Sequence, residues 1–188
     1  ISGCVYLVGV LYIYWFRRIQ FWRPRATGEM LKEERNDWSF WFIVIGMVAA
    51  FYLPPIEYLL SKGVLPRTFF MQTLGMFFIV FGSVLFVWAR RVLGHFYSGH
   101  VSVIAGQPLV QNGPYHFIRH PAYAGYLLIA MGLALGYSSL TGLAAILALL
   151  LPSLVYRINV EEKLLFEFFG ETYCRYRSRT KRLLPGIW

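Results

Sequence analysis

Five apolar runs, each close to the length of a bilayer crossing, leave this chain few folds to choose from. They occupy residues 1–16, 38–60, 69–89, 122–139 and 140–156. A helix needs about 20 apolar residues to cross the hydrocarbon, with roughly 17 to 25 tolerated. Inside a bilayer only helices and closed barrels satisfy every backbone N–H and C=O. No alternating polar and apolar pattern runs through the sequence, so the expectation is an all-α integral membrane protein: about five transmembrane helices in a single domain, 1–188. Composition agrees, since 57% hydrophobic and only 14% charged residues cannot dress the surface of a soluble domain of this size.

The basic residues fix which segments share a side. Cytoplasmic flanks and short loops carry the Lys and Arg excess of a membrane protein. Arg17, Arg18, Arg23, Arg25, Lys32 and Arg35 lie between the first two runs, and Arg90, Arg91 and Arg119 follow the third. Arg157, Lys163, Arg175, Arg177, Arg179, Lys181 and Arg182 follow the fifth, which leaves only Lys62 and Arg67 for the opposite side. The N-terminus is therefore expected outside and the C-terminus in the cytoplasm, with both long polar segments on the cytoplasmic face. A net charge of +9, concentrated at the ends of apolar runs, suits lipid head groups rather than nucleic acid. The run 1–16 has no basic region before it and no small-residue cleavage site after it, and is expected to be a retained anchor.

Local breakers refine the picture. Pro54, Pro55 and Pro152 should each remove one helical hydrogen bond and bend their helix. The short polar link "YSSLTG" predicts an antiparallel hairpin between the last two runs. "GLALG" at 132–136 has small-xxx-small spacing, which is more often close packing than a dimer signal. Gly170 is the expected pause between the end of the fifth helix and the basic stretch "ETYCRYRSRT".

Two constellations carry chemistry. Arg157 and Glu161 stand four residues apart, hence on one helical face at the end of a span; the plainer reading is a snorkelling Arg with a neighbouring Glu. The second is "GQPLVQNGPYHFIRHPAYAG", 106–125, in which Pro108, Gly113, Pro114, Pro121 and Gly125 preclude one regular helix. Irregular backbone beside a bilayer is tolerated where protein buries it or where it lines a cavity, so this segment is a candidate pocket wall. Tyr115, His120 and Tyr123 offer it rings with polar tips, although an interfacial aromatic belt would also use them. His116 and His120 stand four apart but are bracketed by Pro114 and Pro121, so among His95, His100, His116 and His120 there is no HExxH or HxxxH helix and no metal is expected, and Cys4 and Cys174 suggest neither a metal site nor a disulfide. There is no GxGxxG after a strand, no P-loop and no GxSxG elbow.

The order "LV..GPY...RHP.Y.G", an R-xxx-E pair at the end of a span, "FG..Y..Y" and a closing "R..P" resembles the isoprenylcysteine carboxyl methyltransferase family over about residues 74–188. The resemblance implies an S-adenosyl-L-methionine-dependent membrane enzyme acting on a lipophilic, prenyl or lipid-like substrate. Its cofactor pocket would form from the cytoplasmic loop and the extended last helix, with a catalytic region at 90–121 plus 157–188. Position by position it implies that His100, Gln107, Leu109, Val110, Tyr115, His120, Pro121, Ala122, Tyr123 and Glu161 contact the cofactor. Arg157 would face the substrate carboxylate, making Arg157 and Glu161 the catalytic pair. The family often has Ser or Met where this chain has Ala122. A phospholipid N-methyltransferase, a nicotinamide-dependent membrane sterol-type reductase with a comparable "RHP.Y.G" loop, and a non-enzymatic membrane scaffold are the alternative readings.

Overall fold

The computed structural model describes residues 30–33, 38–97, 102–104 and 106–184. The expected first helix, 1–16, with Cys4, and the expected cofactor contact His100 lie outside the described residues. The elements are β1 (Met30–Glu33), α1 (Trp38–Ser61), α2 (Phe69–Leu93), β2 (Ser102–Ile104), α3 (Pro121–Gly136), α4 (Leu140–Ala145), α5 (Leu151–Phe169) and α6 (Glu171–Arg179). A π-helical turn, Ile146–Leu150, joins α4 to α5 into one rod.

Among the described residues three helical stretches are long and apolar enough to cross a membrane: Phe40–Ser61, Phe69–Leu93 and Leu140–Phe169. α3 is apolar but has only 16 residues, about 24 Å at 1.5 Å per residue. The sequence pattern placed its end at 139, three residues too far. Ser138 adopts φ 54° and the Ser139 hydroxyl accepts the Gly142 N–H at 2.8 Å, so these serines form the turn and cap α4 instead of extending α3.

α2 and α3 pack most closely. A Cβ on Gly75 would stand 2.7 Å from the Gly132 carbonyl, and one on Gly82 would stand 2.7 Å from that of Gly125. Two turns of glycine thus let the backbones touch, and the small-residue spacing at 132–136 is spent within the chain. Ile79, Phe86, Tyr126, Ile129, Leu133, Ile146, Leu150 and Leu154 fill the core between α2, α3 and the α4–α5 rod. Trp41, Phe77, Val84 and Leu147 point outward, as a helix bundle in lipid requires.

The prolines behave differently from one another. Pro54 and Pro55 lie inside an uninterrupted α1, where Pro54 fills the notch left by Gly142: a Cβ there would meet its Cγ at 2.6 Å. Pro152 has no N–H for the carbonyl of Ala148 and crowds it, and the π turn precedes it immediately.

A short antiparallel pair, β1–β2, departs from a strictly all-α plan: Met30 stands opposite Ile104 and Glu33 opposite Ser102. Strands of three and four residues are too brief to show alternation in the sequence. They bring 30–33 beside 102–104, and β2 lies against α5. One end of the bundle is closed by Glu57, whose carboxylate accepts from the N–H groups of Val64, Leu140 and Thr141 and from the hydroxyls of Ser139 and Thr141.

Candidate active site

The loop expected to form a pocket wall folds against the far end of the chain. Residues 107–111 are coil, followed by a single 3-10 turn at Gly113–His116 in which Pro114 and Tyr115 are buried. Gly113 has φ 57°, and a Cβ there would lie 2.9 Å from Val92, so only glycine lets the loop turn back onto the end of α2. The Tyr176 hydroxyl donates to the Tyr115 carbonyl at 2.7 Å. Next, Ile118 pairs in parallel with Lys181, while the N–H groups of Arg119 and His120 donate to the carbonyls of Lys181 and Arg182 at 2.8 and 3.0 Å.

Buried charge locks this junction. Arg119 Nε donates to Glu162 Oε1 at 2.7 Å, and its Nη1 reaches the carbonyls of Arg177 and Thr180. Arg182 grips Glu162 Oε2 through Nε and Nη2 at 3.1 and 2.8 Å. Gly170, at φ 51°, ends α5 and redirects the chain into α6, which carries Tyr173 and Tyr176 inward.

Beside the lock lies a more open group. Arg157, 3% exposed, donates through Nε to the Tyr123 hydroxyl at 3.3 Å, and that hydroxyl donates to Glu161 Oε2 at 3.0 Å. The four-residue spacing does put Arg157 and Glu161 on one face, but a tyrosine from α3 bridges them. His120 stacks on Tyr123 with centroids 5.7 Å apart. Its Nδ1 is 3.8 Å from Glu161 Oε2 and its Nε2 is 3.5 Å from Glu162 Oε1. The Glu161 side chain keeps a third of its surface exposed whereas Glu162 keeps 6%.

Electrostatics tie two more tyrosines to this place. Burial pushes the Tyr115 phenol far above its ordinary value, and the Glu161 charge adds to the effect. Tyr97 is raised in the same way, chiefly by burial and against the opposing influence of Tyr126 and Arg90. Both stay neutral at any physiological pH and act as donors or ring surfaces.

Of the residues implied by the family resemblance, the structure brings Tyr115, His120, Tyr123, Arg157 and Glu161 to one place midway along α5, and Pro121 and Ala122 stand between His120 and Tyr123 at the start of α3. Gln107, Leu109 and Val110 are half-buried on the coil that leads to it. The sequence reading carried Arg119, Tyr176 and Arg182 only as members of its motifs and did not single out Glu162 or Tyr97. The Glu161–Glu162 doublet was the available signal for the lock, because adjacent acids on a helix point about 100° apart and need separate partners. Among the described residues no group of three His, Cys, Asp or Glu is arranged to hold a metal ion.

Several proteins similar to this chain are methyltransferases. The chain is similar to the protein-S-isoprenylcysteine O-methyltransferase of Saccharomyces cerevisiae, 31% identical over 61% of this chain and 48% of that protein. It is similar also to that of Schizosaccharomyces pombe, at 29% over 62% and 50% respectively, so it spans about half the length of these two. Against protein-S-isoprenylcysteine O-methyltransferase A of Arabidopsis thaliana the identity is 26% over 73% of each. Among solved structures it resembles a eukaryotic intramembrane Ras methyltransferase, isoprenylcysteine carboxyl methyltransferase, with a TM-score of 0.60 and 26% identity over 77% of this chain and 52% of that one. The family model described as phospholipid methyltransferase matches residues 70–172, from the start of α2 into α6. That segment is more than half of the chain and contains the Arg157–Tyr123–Glu161 group, and the chain belongs to the phospholipid methyltransferase family.

Proposed function

We propose that the chain is an S-adenosyl-L-methionine-dependent methyltransferase that esterifies the carboxylate of a prenylated cysteine, or of a similar lipophilic acid, at the cytoplasmic surface of the membrane. The observation that carries this reading is the buried Arg157 joined to the partly open Glu161 through the Tyr123 hydroxyl, where a membrane helix meets a water-facing loop.

The residues present suit such a cofactor. Glu161 has one hydroxyl donor and retains lone pairs for an ammonium group. The rings of Tyr115, His120 and Tyr123 beside it suit a cation and an aromatic base. Gln107, Leu109, Val110, Pro121 and Ala122 complete the proposed wall. When bound, the cofactor supplies a methyl carbon activated by its sulfonium.

Arg157 orients the acceptor. A guanidinium has five N–H donors in a rigid plane, and the bond from Nε to Tyr123 fixes that plane. The fork would hold and orient the acceptor carboxylate. The acceptor oxygen would receive the methyl group that the bound cofactor would supply. No proton moves, because a carboxylate is already ionised at neutral pH. Catalysis is then alignment, for which about 7 to 11 kcal/mol is the upper range.

The description of the matching family model favours one second reading, transfer to a phospholipid amine. An amine acceptor has to lose a proton, which gives Glu161 the part of base and Arg157 none. Purified protein in detergent is offered labelled S-adenosyl-L-methionine with either a farnesylcysteine analogue or phosphatidylethanolamine. Label in the farnesylcysteine ester is expected; label only in the phospholipid selects the amine reading. Binding of NADPH in preference to S-adenosylhomocysteine would overturn both.

A further inference from the structure

Glu162 touches neither Arg157 nor Tyr123 in the described contacts, yet two segments distant from α5 in sequence, the loop and the tail, meet on its carboxylate. Oε1 takes Arg119 from the loop and faces His120. Oε2 takes Arg182 from the tail through two nitrogens. Arg119 in turn caps the carbonyls of Arg177 and Thr180, where α6 gives way to the tail. The main chains of 118–120 and 181–182 are bonded alongside. His120, fixed between the two acids, stacks on the tyrosine that bridges Arg157 and Glu161.

We propose that Glu162 is a positioning residue that straps the tail Thr180–Leu183 to the loop end Ile118–His120 and thereby holds His120 and Tyr123 against Glu161. The inference rests on the methyl-transfer reading, but the strap itself can be measured without any ligand. A buried carboxylate serving two arginines does not keep them when its charge is removed, because an uncompensated buried guanidinium seeks water. Glu162→Gln retains the size of the side chain and its amide oxygen, loses the charge, and frees the tail. The ring pair then loses its backing while Arg157, Tyr123 and Glu161 remain in the chain.

The test uses the full chain in detergent micelles, as wild type, Glu162→Gln and Arg182→Gln. Arg182 is partly exposed on the tail, so its variant opens one limb of the strap if the first fails to fold, with helical circular dichroism as the check. Without ligand, trypsin cleavage after the exposed Lys181 is expected to accelerate in either variant. With ligand, the dissociation constant of S-adenosylhomocysteine and the KM of S-adenosyl-L-methionine should rise roughly ten- to a hundredfold, while kcat changes far less, the mark of lost cofactor holding rather than lost chemistry. Folded variants that match wild type in cleavage and cofactor affinity overturn the proposal, and so does a fall in kcat alone. A wild-type chain that binds no S-adenosylhomocysteine defeats the methyl-transfer reading instead, and the cleavage result still decides whether the strap exists.

Discussion

Two buried carboxylates stand at the two ends of the α4–α5 rod, and they are satisfied in opposite ways. Glu57 meets the rod at Leu140 and Thr141, about 33 Å along it from Glu162. Glu57 is held by hydroxyls and by main-chain N–H groups at a helix start, where the helix dipole favours an anion. These partners lie within short turns that close the bundle. Glu162 is held by two arginines from segments distant in sequence, so its end is an assembly of loop, helix and tail. Directly beside it, Glu161 is left with one hydroxyl and an open side. A carboxylate saturated by neutral donors serves stability; the charge lock next to an unfinished carboxylate frames the proposed site.

The largest effect that separates the two ends is Arg157→Ala. It removes a buried guanidinium bonded to Tyr123, and losing one member of a buried, charged, hydrogen-bonded set costs about 4 kcal/mol, on the order of a thousandfold in kcat/KM. Binding of S-adenosylhomocysteine should persist, because Arg157 is assigned to the acceptor. Loss of cofactor binding, with acceptor affinity intact, would move Arg157 to the cofactor side of the site.

Glu57→Ala should do the reverse. It strands the Val64, Leu140 and Thr141 N–H groups and two hydroxyls in a partly buried end, at a cost of about 2 kcal/mol of stability. A thermal melt in detergent should show it, while turnover per folded molecule at a permissive temperature stays at the wild-type level. If turnover fell in proportion to that of Arg157→Ala, the two ends would be coupled and the division between them wrong.

How far the sequence foretells this division depends on the range of the interaction. The apolar runs at 38–60 and 69–89 read directly as α1 and α2, because local hydropathy decides a membrane helix. The break at Gly170 was visible for the same local reason. Arg157 and Glu161 were legible as a helical pair, but Tyr123 between them was not, since the bridge spans 34 residues on one side and 38 on the other. The lock was hidden further: Arg119 and Arg182 stood in separate motifs and Glu162 in none, and only the docking of the tail onto 118–120 makes them a buried set. Glu57 sits in an apolar helix, which announces a functional acid by default. Its partners lie some 80 residues away and show it to be a structural one.

Tyr123→Phe sharpens the open side of the site. It keeps the ring that stacks on His120 and deletes only the hydroxyl between Arg157 and Glu161. One such bond to charged groups is worth about 1.5 kcal/mol, so kcat/KM should fall about tenfold. Stability should be nearly unchanged, because Arg157 and Glu161 then lie close enough to attract one another directly. A drop as deep as that of Arg157→Ala would mean that the hydroxyl takes part in the chemistry and is more than a bridge.

The smallest effect probes the junction from its neutral side. Tyr176 is raised from 10.0 to about 12, by burial first, with Arg119 and the Thr180 hydrogen bond opposing. In the folded chain it keeps the proton that it donates to the Tyr115 carbonyl. Its contribution is therefore fully present below pH 10. Above pH 10 the unfolded chain releases its proton first, so stability is lost as pH rises towards 12. Tyr176→Phe leaves the Tyr115 carbonyl without this donor and should cost about 1 kcal/mol between pH 7 and 9. It should also make the alkaline fall in melting temperature shallower than in wild type. An unchanged alkaline fall would mean that another tyrosine governs it, Tyr173 being the nearest raised neighbour on the same helix. An unchanged melting temperature at neutral pH would mean that the charge lock alone holds the tail in place.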